Sequence, residues 1–192
     1  MTLGALFQRH GSDKYLHGYD RLYERIIKAD TGSLLEVGIG TRNPDGVDHT
    51  VHEWFPADYQ PGGSLRAWAD WLPGAAVTGI DIEPDCVFTE GRVTGLLCDS
   101  TNLESVTETF GAATLFDVVI DDGDHTAWAQ LRTLRNLWPL VAPGGVYVIE
   151  DVATLIAPLV VDVVGFDAWR TADIVTSLSC PLGFIAVAIG RP

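Results

Sequence analysis

Two short runs concentrate the side chains able to do chemistry. Asp121-Asp122-Gly123-Asp124-His125 sets three carboxyls and an imidazole close together, and Glu150-Asp151 adds two more carboxyls. Each run follows an apolar stretch, Phe116 to Ile120 and Val146 to Ile149. If those stretches are neighbouring strands, the carboxylates and the imidazole meet at one rim. Crowded carboxylates repel, so such a rim needs a cation or raised pKa values. Hard oxygen ligands suit magnesium or manganese, and Asp122, Glu150 and Asp151 are the predicted ligands. A cation there could bind a hydroxyl, orient it and lower its pKa. His125 could then take the proton as general base. The competing reading makes these carboxylates helix caps, and Asp124, just before Thr126, reads as an N-cap.

A second set points to a nucleoside. Glu36-Val37-Gly38-Ile39-Gly40 closes the first strand-like run, and its glycines let the backbone turn tightly near a ligand. Asp81 ends the second run, where a carboxylate can accept hydrogen bonds from both ribose hydroxyls. Asp99 follows the third and could meet an adenine amino group, or simply be a loop carboxylate. The three in order, on successive strand ends, are more specific than any one alone. A nicotinamide dinucleotide fits poorly. Its fingerprint needs a third glycine where Asn43 stands. Its acidic residue lies roughly 20 residues on, and Asp81 is about twice as far from Gly40. A long proline-bearing loop also replaces the tight turn into a helix that a pyrophosphate prefers. Adenosylmethionine has no phosphate and needs no such cradle.

These groups must be carried by regular elements. Short apolar runs rich in Val, Ile and Leu, each ending in an acidic or glycine residue, suit strands buried on both faces. They are Ser33 to Val37, Ala76 to Ile82, Val93 to Cys98, Phe116 to Asp121 and Val146 to Ile149. Helical patterns fall between them at Ser64 to Trp71, Leu103 to Phe110 and Thr126 to Leu140. The last places Trp128, Leu131, Leu134, Leu137 and Trp138 on one side. Leu3 to Ala29 reads as helical with breaks near Gly11 and Gly18. Pro143-Gly144-Gly145 reads as a turn feeding the next strand. Asp173 to Leu178 and Gly183 to Ile189 read as a closing antiparallel hairpin through Ser179-Cys180-Pro181-Leu182. The alternation predicts an α/β fold with helices on both faces of a mostly parallel sheet. The segment 41–63 breaks the pattern, and loops this long are usually functional or mobile.

The bulk numbers narrow the partners. A chain of 192 residues suits one domain over 1–192 with its own core. The balance of 47% hydrophobic and 20% charged residues is that of a globular protein. A net charge of −14 argues against nucleic acid and anionic membranes as partners. Cys86, Cys98 and Cys180 form no C-x-x-C pair, and reduced thiols in a cytoplasmic protein are the expected state. Met1 to His10 has no basic stretch leading into an apolar run, so no signal peptide is expected. Val152 to Gly165 is short and interrupted by Asp162, too little to span a bilayer.

Leu35-Glu36-Val37-Gly38-Ile39-Gly40, Gly79-Ile80-Asp81-Ile82 and Asp121-Asp122-Gly123-Asp124-His125 resemble three motifs of class I adenosylmethionine-dependent methyltransferases. More narrowly, the chain is similar to the metal-dependent macrolide-sugar O-methyltransferases and their relatives in surface-carbohydrate and antibiotic gene clusters. Supporting stretches are Gly11-Ser12-Asp13-Lys14 with His17-Gly18-Tyr19, Pro61-Gly62-Gly63-Ser64-Leu65-Arg66, and Pro143-Gly144-Gly145 leading to Glu150-Asp151. The resemblance runs from about Gly11 to Val152; beyond it only the hairpin matches.

It implies a Rossmann-like fold with a mostly parallel seven-stranded sheet and a C-terminal antiparallel hairpin. It implies adenosylmethionine held by Glu36, Gly38, Gly40, Asp81, Ile82, Asp99 and Asp121. A magnesium or manganese ion would sit on Asp122, Glu150 and Asp151, with His125 as base. Lys14, Ser64 and Arg66 would lie near the methionine end or the acceptor. Lys14 could pair with the methionine carboxylate or be solvated, and Arg66 could instead be a helix-surface residue. The implied acceptor is a hydroxyl of a sugar or glycosylated small molecule. Methylation of nitrogen or a carboxylate, or a cofactor-binding partner protein, are the alternatives.

The resemblance does not extend to the additional N-terminal domain of the macrolide-sugar enzymes, so acceptor and homo-oligomer contacts do not carry over. Nor does the loop His49-Thr50-Val51-His52-Glu53-Trp54 have a counterpart. Its histidines could bind a metal or be exposed, and with Trp54, Phe55 and Tyr59 it could form a lid.

Overall fold

The computed structural model describes residues 1–43, 60–111, 113–152, 157–165, 173–176 and 185–192. The loop residues His49, His52, Trp54, Phe55 and Tyr59, and the hairpin connection with Cys180, lie outside them.

The apolar runs form the strands β1 (Ser33–Val37), β2 (Ala76–Asp81), β3 (Phe88–Glu90), β4 (Val93–Leu97), β5 (Phe116–Asp121), β6 (Val141–Val152), β7 (Asp173–Thr176) and β8 (Ile185–Gly190). They lie in one sheet in the order β3-β4-β2-β1-β5-β6-β8-β7. Strands β4, β2, β1, β5 and β6 are mutually parallel, while β8 and β7 return antiparallel. This is the expected seven-stranded arrangement, extended at one edge by β3, which runs antiparallel to β4. Strand β3 was not foreseen because its three residues are too short to show a period.

Alternation along the strands sorts the core into two layers. Leu34, Val77, Val118, Ile120 and Val148 face one side, where they meet Leu3, Phe7, Tyr19, Leu22, Tyr23 and Trp68. Those residues belong to α1 (Leu3–Arg9), the segment around α2 (Lys14–His17), α3 (Asp20–Ile26) and α4 (Gly63–Trp71). Leu35, Val37, Ile80, Val119 and Ile149 face the other side. There they pack on Val106 of α5 (Leu103–Phe110), and on Leu134 and Leu137 of α6 (Ala127–Leu137). Full burial of each such Leu or Phe is worth about 1.5–3 kcal/mol, so the N-terminal helices are docked by packing before any polar contact is counted. The breaks between α1, α2 and α3 fall at Gly11 and Gly18, both left-handed, as the sequence suggests.

Three local expectations are corrected, and one helix is added. Pro143-Gly144-Gly145 is no free-standing turn. Strand β6 already starts at Val141, and Gly144 N–H and Gly145 C=O bond to the Arg191 backbone. The cap of α6 is Thr126, whose hydroxyl accepts from Ala129 N–H, while Asp124 accepts from Thr126 N–H. Trp128 lies off the buried stripe of α6, is 62% exposed, and carries the Arg132 guanidinium over its ring. Ala157–Val164, within the apolar stretch before Gly165, forms a further helix, α7. Among the described residues no helix is long and apolar enough to cross a membrane.

Gly38 follows β1 with φ +78°, and a Cβ built there would collide with the Asp122 carbonyl oxygen. Gly144 has φ +77° but open space around it. A left-handed non-glycine costs about 1–2 kcal/mol. Gly144→Ala should therefore lose about that much in a denaturant melt. Gly38→Ala, with the added backbone collision, should lose clearly more or fail to fold. Equal losses would mean that the close approach at Gly38 is not constraining.

Candidate active site

The sheet registers build the rim. Val37 pairs with Asp121, and Asp121 with Ile149, so β1 and β5 end at the height of Ile149 in β6. Gly38, Asp122 and Glu150 thereby become neighbours, as the two acidic runs required. Backbone bonds fix the exits: Gly38 N–H donates to Ile80 C=O at 2.9 Å, and Asp122 N–H to Val37 C=O at 3.0 Å.

Strand parity decides which carboxyls share a face. Glu36 and Glu150 sit an even step from Leu34 and Val148, so both point toward the N-terminal helices. There they meet Lys14, whose side chain is only 2% exposed. Lys14 Nζ lies 2.9 and 3.0 Å from the two Glu150 oxygens and 3.2 Å from Glu36 Oε1, and also donates to Asp122 Oδ2. The Tyr23 hydroxyl donates to Glu150 as well. Burial alone would pull the Lys14 pKa down, but Asp122, Glu150 and Glu36 outweigh it and hold the ammonium well above its usual value. Burial and then the Asp122 charge push Glu150 well up, against the pull of Lys14. One ammonium cannot neutralise three carboxylates, so the remaining charge must be met by a proton or another cation. Lys14 is thus not solvated, and its ammonium is held among these carboxylates.

Asp151 and His125 complete the outer part of the rim. The Tyr19 hydroxyl donates to Asp151 Oδ1 at 2.6 Å, and Asp151 Oδ2 lies 3.9 Å from His125 Nε2. Ligand atoms of Asp122, His125 and Asp151 all fall within 4.8 Å of one another. Glu150, the third predicted ligand, is turned beneath them toward Lys14 and Tyr23. An oxygen-rich set with one imidazole and an excess of negative charge fits a divalent cation.

The glycine-loop side of the rim is organised around Asp81. Its carboxylate accepts from Ile39 N–H at 2.9 Å and from Glu83 N–H at 3.1 Å, folding the glycine loop onto the end of β2. Burial raises its pKa and these backbone bonds oppose the rise. Gly40 is left-handed like Gly38, and Ile82 beside Asp81 is 47% exposed, an apolar surface at the rim. Asp99 accepts from the N–H and hydroxyl of Thr101, and Asn102 caps α5. Glu36 is fully buried behind the loop, bonded to Ser64 and, at 2.6 Å, to the Trp68 indole N–H. Its Oε1 is the oxygen that faces the Lys14 ammonium.

Two residues of the predicted set sit apart from the Asp122, His125 and Asp151 cluster. Asp121 falls on the opposite strand parity, so its carboxyl turns into the second core layer beside the Tyr147 hydroxyl, at 3.4 Å. Burial, against weaker hydrogen bonds, pushes its pKa up to about 7. Arg66 follows its surface reading: the guanidinium bonds both Glu90 oxygens at 2.8 Å, bonds Pro61 C=O, and stacks on Phe88. Sequence reasoning missed Tyr23, Trp68 and Gln130. The available signal was chemical, since a buried Tyr O–H or Trp N–H needs an acceptor, and buried Glu36 and Glu150 supply them.

Known proteins resemble this chain in sequence and in fold. Residues 62–152 match a family described as a methyltransferase domain. The chain is 36% identical, over 81% of its length, to an O-methyltransferase of Streptomyces olivaceus named for the 3′ position of 8-demethyl-8-(2-methoxy-alpha-L-rhamnosyl)-tetracenomycin C. It is 34% identical, again over 81%, to demethylmacrocin O-methyltransferase of Streptomyces fradiae. It covers only 38% of each of these relatives. Among solved structures, the mycinamycin-pathway methyltransferase MycE, in complex with Mg, SAH and mycinamycin VI, superposes with a TM-score of 0.67. Identity there is 28%, with 83% of this chain and 39% of that one covered. In sheet order the chain has the fold of these methyltransferases, and over about two fifths of their length it is similar in sequence to the O-methyltransferases named above.

Proposed function

We propose that this chain transfers the methyl group of adenosylmethionine to a hydroxyl of a sugar or glycosylated small molecule, assisted by a divalent cation. The observation that carries the reading is the clustering of Asp122, His125 and Asp151 on the rim that adjoins the Gly38 loop. The chain spans about two fifths of the length of its sugar-methylating relatives, so the acceptor class rests on their names.

Asp81 and Asp99 would hold the ribose and adenine of the donor, with Ile82 as an apolar flank. The donor supplies an electrophilic sulfonium methyl. Asp122 and Asp151, with Glu150 beneath, would hold magnesium or manganese, which supplies the positive charge that acidifies an acceptor hydroxyl. His125 is 42% exposed at the rim and would accept the hydroxyl proton. Lys14 compensates the inner carboxylates and keeps Glu36 and Glu150 tolerable away from water. Holding the reacting groups together on one rigid sheet edge supplies the rest of the acceleration.

The 4.8 Å cluster also favours a second reading, in which His125 is itself a ligand. His125→Ala separates the two. As base, its loss should cut turnover by roughly 10²-fold or more with Mn2+ affinity unchanged; as ligand, Mn2+ affinity should fall too. A mild effect on both would return His125 to a structural role.

Chelation with EDTA should abolish methyl transfer, and added Mg2+ should restore it. Undiminished turnover in EDTA would remove the cation from the reaction. Binding of adenosylmethionine in calorimetry with no transfer to any glycoside would favour a cofactor-binding partner protein instead. Lys14→Met leaves buried carboxylates uncompensated, and breaking such a pair costs about 3–5 kcal/mol. A large drop in Tm at neutral pH is expected, and an unchanged Tm would show that Lys14 does not carry this charge.

A further inference from the structure

Glu150 and Asp151 are adjacent in a strand, and in a regular strand adjacent side chains point to opposite faces. Here both reach the same side: Glu150 bonds Tyr23 and Asp151 bonds Tyr19, and both tyrosines belong to the core layer under the N-terminal helices. The pairing of β6 with β8 shows how. Ile149 pairs with Val187 and Val152 with Ile185, so Glu150 and Asp151 together stand opposite Ala186 alone. That is a β-bulge, a device that re-aims a side chain. Asp151 carries its strain, with φ 50°, the one positive φ outside glycine among the described residues. Such a conformation costs of order 1–3 kcal/mol and persists only where its surroundings hold it.

Two side chains hold it. Gln130, 1% exposed on α6, donates from Nε2 to the Glu150 C=O at 2.9 Å, the carbonyl of the peptide that joins Glu150 to Asp151. Tyr19, from the opposite layer, donates to Asp151 Oδ1 at 2.6 Å and leaves Oδ2 toward His125. One clamps the peptide and the other the carboxylate. We infer that Tyr19 and Gln130 are positioning residues that keep the Glu150–Asp151 bulge open, so that both carboxylates serve one cation. The inference builds on the reading of the rim as a metal site. Neither residue touches the reacting atoms.

Tyr19→Phe and Gln130→Met each remove a donor with little change of shape. Losing such an outer partner should weaken Mn2+ binding, followed by electron paramagnetic resonance, by roughly 10–100-fold. Adenosylmethionine affinity, measured by calorimetry, should stay within about twofold of wild type, as a general loss of structure would not allow. Crystal structures of both variants without metal give a separate readout. The expected result is an Asp151 carboxylate displaced from the His125 side, with the Glu150–Asp151 peptide turned in Gln130→Met. If Asp151 keeps its φ and its carboxylate position in both variants, the inference is overturned. If the wild type binds no Mn2+, the metal reading of the rim falls, and the crystal structures still decide whether Tyr19 and Gln130 set Asp151.

Discussion

A single ammonium group, that of Lys14, sits where three carboxylates converge under the end of the sheet. Unpaired, Glu36 or Glu150 would be very unfavourable so far from water. Paired, the three carboxylates tie the short helix bearing Lys14 to β1, to β6 and to the turn after β5. The layer of Phe7, Tyr19, Leu22 and Tyr23 brings the helices to the sheet without specifying their position along it. The ion cluster supplies that specification, because Nζ satisfies Glu36, Asp122 and Glu150 together only in one place. Charged groups are thus used here for register and for function, more than for net stability.

That interaction also marks the limit of what the sequence discloses. The strands β1 and β5 and the helix α5 are legible to the residue, since an uninterrupted apolar run bounded by an acid or a glycine has few other uses. The acidic rim is equally legible, because its two runs end adjacent strands. Parity is what separates the acidic residues that reach the rim from those that do not. Asp121 and Asp122 look equivalent in a string of letters, yet one enters the second core layer and the other the rim. Arg66 stands within a motif-like stretch, but β3, too short to foresee, offers Glu90 and Phe88 to it. For Lys14 the residue type and the nearby acids were visible. Their convergence was not, since it depends on how three helices fold back across the sheet.

The two halves of the site differ in construction. The glycine-loop half is held by backbone: Asp81 gathers the amides of Ile39 and Glu83, and the loop is shaped around it. The acidic half is held by side chains brought from elsewhere, namely Lys14, Tyr19, Tyr23 and Gln130. A backbone-built half tolerates substitution of its neighbours, whereas the side-chain-built half is exposed to any change in the N-terminal helices. Match to a methyltransferase domain begins only at residue 62, so Lys14, Tyr19 and Tyr23 reach the rim from outside the matched stretch.

Where the two halves meet, main chain touches main chain: the α-carbon of Gly38 lies against the Asp122 carbonyl with no room for an intervening methyl. The gap between the halves is therefore a dimension of the scaffold itself, set by strand spacing and not by anything a side chain could widen or narrow. Descendants of this fold could change what they recognise by altering the rim's outer wall. They could not lengthen the reach between the two halves without dismantling the sheet that sets it.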